Sequence, residues 1–91
     1  MGLVNSVNTL STSAEVLHYA KNGNGMVPEG IVVFNGDAAI TVYVGGPTVS
    51  TANGIPVLAG NSFSIDMVSG ERLYAVAASG TPVVRILVAH Q

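Results

Sequence analysis

Cysteine is absent from the 91 residues, and charge is scarce. Three Lys/Arg and five Asp/Glu make up 9% of the chain, against about 25% in an ordinary soluble domain. Without cysteine there is no disulfide framework, no thiolate metal site and no thiol nucleophile. The three basic residues, Lys21, Arg72 and Arg85, are scattered along the sequence. Neutralising a phosphate backbone takes several cations on one face, and holding an anionic lipid surface takes a basic cluster. Nucleic acid and polybasic membrane attachment are therefore excluded as function classes. Tryptophan is missing, and aromatics amount to three Tyr and two Phe. The longest unbroken apolar run covers residues 73–78, far short of the ~18 that a membrane-spanning helix needs. No basic stretch followed by an apolar core opens the chain, so no secretory signal is expected. Residues 1–6 fit a myristoylation pattern, which so short a motif does readily by chance.

What is present is 48% apolar residues, with Ser, Thr, Asn and Gly making up much of the rest. That apolar content argues against intrinsic disorder, and the length fits one domain. A chain this short buries only about 60–65% of its unfolded surface. Its cover is small and uncharged. Such a skin suits a protein that packs against copies of itself or against a larger assembly.

The pattern is strand and turn throughout. Residues 1–13 are polar and irregular and read as an extended N-terminal arm or a first edge strand, with the sandwich domain over 14–91. Residues 15–20 are a strand candidate, ended by Asn22-Gly23-Asn24-Gly25. Residues 31–35 form a β-branched and aromatic run, as expected of a strand buried on both faces or of a central strand of a sandwich. Asn35-Gly36-Asp37 then reads as a tight hairpin with positive φ at the turn. Residues 40–44 alternate, with Ile40, Val42 and Val44 inward. Residues 49–52 look extended, and Pro56 confines residues 55–58 to an edge. Phe63, Ile65 and Met67 alternate inward in the next strand, residues 73–78 make another, and Val84, Ile86 and Val88 give the inner face of the last. Turn signals recur about every 8–12 residues. The predicted fold is all-β: a single compact β-sandwich or small jelly-roll-like barrel of seven to eight short antiparallel strands.

Chemistry is harder to find. His18 and His90 are unclustered and lack a third ligand. Asp66 and Glu71 flank one turn, but a glycosidase also needs a cleft between its carboxylates. No Gly-x-Ser-x-Gly occurs, and Gly23-Asn24-Gly25 lacks the remainder of a dinucleotide loop. The expectation is a protein that is not an enzyme, with no catalytic residues, no metal and no cofactor.

From Val32 onward the chain resembles small β-sandwich virion proteins of tailed bacteriophages. The resemblance rests on residues 33–46, where an Asn-Gly strand end leads into Val42-Tyr43-Val44-Gly45-Gly46. It continues through residues 49–57, 58–66, 73–81 and 83–87. It implies a structural virion protein that decorates and cements the outer surface of a phage head. The implied partners are the major capsid protein and further copies of itself, and the implied location is the capsid surface. The alternative is a tail- or fibre-associated virion module that binds receptor or carbohydrate. Candidate assembly contacts are Leu3 and Val4 in the arm, and the tyrosines Tyr19, Tyr43 and Tyr74. Nucleic acid and membrane are not expected as partners.

Overall fold

The computed structural model describes residues 2–20, 29–68 and 70–90; the turn expected at residues 22–25 lies outside them. Eight strands form: β1 (Gly2–Thr9), β2 (Glu15–Tyr19), β3 (Glu29–Asn35), β4 (Val42–Gly45), β5 (Ile55–Val57), β6 (Ser62–Met67), β7 (Arg72–Ala77) and β8 (Val83–His90). They build two four-stranded sheets, ordered β1-β8-β3-β6 and β2-β7-β4-β5. Every pairing is antiparallel. Two sheets facing each other in this order make an eight-stranded jelly roll. It is a sandwich with free edges, not a closed barrel.

Strands alternate because successive side chains point to opposite faces. Ile31 and Val33 of β3, Met67 of β6, and Val84, Ile86 and Val88 of β8 line the inside of the first sheet. Val42 and Val44 of β4, Val57 of β5, and Leu73, Ala75 and Ala77 of β7 answer from the second. Leu10, Leu17 and Ala20 complete the cluster. Burying each such Val, Leu or Ile side chain stabilises by about 1.5–3 kcal/mol.

Several local expectations change. Strand β3 is a central strand of its sheet, one of the two placements expected for it, but it is buried on one face only, since Val32 and Phe34 are each 39% exposed on the other. Asn35-Gly36-Asp37 is not a hairpin turn: β3 and β4 belong to different sheets, and neither Asn35 nor Gly36 has positive φ. Asn35 is instead fully buried. Its Nδ2 donates to the carbonyls of Ile40 and Val57, each at 2.8 Å, and its Oδ1 accepts from the Asp37 N–H at 3.1 Å. Residues 49–52 are not a strand but lead into a turn, where Asn53 Oδ1 accepts from the Ser50 N–H. Residues 2–9 pair along their whole length with β8, joining the two ends of the chain in adjacent strands.

Candidate assembly interface

Cross-strand partners share a face, so the registers place each candidate contact. In the second sheet Tyr74 pairs with Val16 and Gly45, and Tyr43 with Val76 and Pro56. Tyr19 pairs with Arg72, two residues before Tyr74. A bulge between Val16 and His18 returns Tyr19 to that side. All three tyrosines thus lie on the outer face of the second sheet. One side of the Tyr19 ring is already occupied, with the Arg72 guanidinium 4.3 Å from its centroid.

Leu3 lies elsewhere. It pairs with Ala89 on the outer face of the first sheet and is 69% exposed. Val4 pairs with Val88, in register with the inner face; its side chain lies outside the described set. The structure therefore gathers the tyrosines and separates them from the arm.

Besides Leu3, the first sheet's outer face carries apolar residues that no sequence motif marks. Leu3, Val7, Val32, Phe34 and Leu87 are all exposed there, with Arg85 paired to Phe34 and Asp66 paired to Gly30. An open hollow of about 450 Å³ is bounded by Gly30, Val32, Ser64, Asp66, Leu87 and Ala89. The signal was hidden because β3 is apolar at successive positions, which reads equally as burial on both sides. A second opening, of about 260 Å³, enters between the sheets beside Ile55, Phe63, Ile65 and Met67.

The four sheet edges differ. An edge strand offers unpaired N–H and C=O groups to another chain unless charge, proline or a bulge guards it. Strand β5 contains Pro56, β6 contains Asp66, and β2 has a bulge and Glu15. Strand β1, Gly-Leu-Val-Asn-Ser-Val-Asn-Thr, has none of these over eight residues in unbroken register. Among the described residues it is the open edge.

Among the described residues the ionisable groups make no catalytic arrangement. Glu71 Oε1 accepts from the Val68 N–H at 2.8 Å, holding the β6–β7 turn. Asp37 accepts from the Ala39 and Ile40 N–H groups, and those bonds hold its carboxyl below its ordinary value of 3.8. Among the described residues no three His, Cys, Asp or Glu side chains gather as a metal site.

The class that the fold defines is an eight-stranded jelly-roll sandwich with one open edge. No protein-family model matches the chain, and no curated protein does. Among solved structures it is similar to a chain described by the words "Bacillus endospore appendages form a novel family of disulfide-linked pili". Identity is 19%, with 99% of this chain and 85% of that chain covered, at a TM-score of 0.59. At that identity the likeness concerns the fold.

This finding overturns the bacteriophage reading. The fold matches an appendage subunit and not a head-decoration protein. Cement function, a major capsid partner and a capsid-surface location go with that reading. The physical reason lies in the motifs that carried it. Asn35-Gly36 is the start of a crossover anchored by the buried Asn35, and Val42 to Gly46 is strand β4 with the residue after it, features that serve the jelly roll and name no shell.

Proposed function

We propose that this protein is a non-enzymatic structural subunit that assembles with copies of itself into an extracellular fibre. The observation that carries the reading is β1, an unguarded eight-residue edge. Each sheet has four strands in antiparallel alternation. A copy displaced sideways without rotation therefore presents its β1 antiparallel to β6, continuing the first sheet; the one charge on β6, Asp66, lies on the outer-face side in register with Gly30 and leaves the inner side of that edge uncharged. Such a head-to-tail contact does not close on itself and so propagates. The fold likeness to a pilus subunit supports this, as does the low charge, which reduces the desolvation cost of close packing. The neighbour's description speaks of disulfide linkage; these 91 residues contain no cysteine, so they can form no disulfide link to one another.

Ser6 tests the reading. It is exposed on β1, in register with Ile86 on the inner side. An inward lysine at an edge blocks strand addition. Purified protein should form fibres visible by negative-stain electron microscopy, and Ser6→Lys should remain unassembled with unchanged far-UV circular dichroism. Fibres of equal yield from Ser6→Lys would overturn the edge contact.

A second reading follows from the three tyrosines on one face: a module that stacks sugar rings on them. Glycan-array binding lost in Tyr43→Ala would favour it, and absence of binding by the unaltered chain would end it.

A further inference from the structure

We propose that the outer face of the first sheet is a second, self-complementary interface, which takes the same face of another copy of this chain. Its charges are arranged for that partner. The Nη1 of Arg85 lies beside Gly36, 2.6 Å from where a Cβ would stand there. The Oδ1 of Asp66 lies beside Gly30, 3.6 Å from the corresponding point. Six residues of extended β3 separate these two glycines, about 20 Å, so Arg85 and Asp66 do not meet within one molecule. Between them stand Val32 and Phe34, both exposed.

A two-fold axis lying in the plane of contact and crossing β3 between Val32 and Phe34 satisfies every one of these groups. It sets Val32 against the partner copy's Phe34, and Phe34 against its Val32. It carries each arginine head into the hollow beside the other copy's Gly30, where Asp66 waits. An isologous contact repeats each pairing twice, giving an apolar centre with a charge pair at either end, the usual anatomy of an interface. The two sheets then face each other with aligned strands, an established packing mode.

Size assigns the contact its role. Four strands and about six residues span about 19 by 20 Å, or about 400 Å² per copy. A stable dimer needs about 800 Å² per partner. The face is too small to hold two free subunits tightly and large enough to act when repeated. The axis runs across the strands, the direction in which β1 addition propagates. Two fibres can therefore lie face to face with every subunit paired. That bundling role rests on the fibre reading; the face contact itself does not.

Charge reversal with complementation tests it, in the Ser6→Lys background so that edge assembly is silent. Sedimentation equilibrium over a concentration series should show weak dimers of the Ser6→Lys chain. Arg85→Glu alone and Asp66→Arg alone should each weaken dimerisation at least about tenfold. An equimolar mixture of the two should recover it, because each introduced charge then meets its opposite while the remaining Asp66 and Arg85 meet each other. The double variant should recover it too. Single variants that dimerise normally, or a mixture that does not recover, would overturn the proposal. On fibres with native β1, Arg85→Glu should abolish side-by-side bundles while leaving single fibres. Loss of the single fibres themselves would count against the separation of edge from face.

Discussion

Asn35 joins β3 to two other segments through one amide: the Ile40 carbonyl in the crossover and the Val57 carbonyl at the end of β5. Removing it leaves buried carbonyls without donors, each costing about 1–3 kcal/mol. Asn35→Ala should therefore lower unfolding free energy by about 2–5 kcal/mol in urea denaturation. Nothing local in the sequence announces this, because Asn-Gly reads first as a turn. Asp37 next to it works differently. The Ala39 and Ile40 N–H groups favour its ionised form, lowering its pKa in the folded state. A carboxylate shifted downward adds stability above its unfolded value and loses that share as pH falls through the folded value. The melting-temperature gap between the unaltered protein and Asp37→Asn should be full near neutrality and shrink below about pH 4. A gap that widens in acid would contradict the assignment.

At the scale of elements, periodicity was legible and partnership was not. Strands β2, β5, β6, β7 and β8 stand where alternation and turn residues place them, and Pro56 sits on an edge strand as its missing N–H requires. Hairpins were over-read, since only β4 and β5 are neighbours both in the chain and in a sheet. A turn such as Ala59-Gly60-Asn61 closes the same way whether the next strand pairs beside the last or crosses to the opposite sheet. Gly54 shows how tightly one connection packs. A Cβ there would stand 2.7 Å from Tyr43 Cβ, 2.8 Å from Val49 Cγ2 and 3.0 Å from the Ser50 carbonyl oxygen. Gly54→Ala should cost about 1–3 kcal/mol by overpacking, seen as a lower denaturation midpoint with unchanged slope. Gly46, with open space around its Cβ position, is the matched control and should tolerate alanine.

For the whole molecule, β1 and β8 bring opposite ends of the chain together, and long-range pairs dominate the fold. Folding must close large loops before those pairs reward it, so stopped-flow refolding should fall in the millisecond-to-second range typical of all-β domains. The two proposed contacts differ in their response to salt. Edge addition uses backbone hydrogen bonds, whereas the face uses Arg85 and Asp66. Raising ionic strength from about 0.05 M to about 1 M shortens the screening length several-fold and should loosen bundles while sparing single fibres, as measured by light scattering with microscopy. Composition and alternation by themselves determined an all-β chain, one sandwich of short strands and a skin poor in charge, because those properties follow from side-chain chemistry and the two-residue period of a strand. Only tertiary structure decided which strands pair. It thereby left β1 as the bare edge, put three tyrosines on one face, and set Arg85 and Asp66 at opposite ends of another. Pairing is a contest among edges far apart in the chain, and each edge looks alike until the sheets have formed.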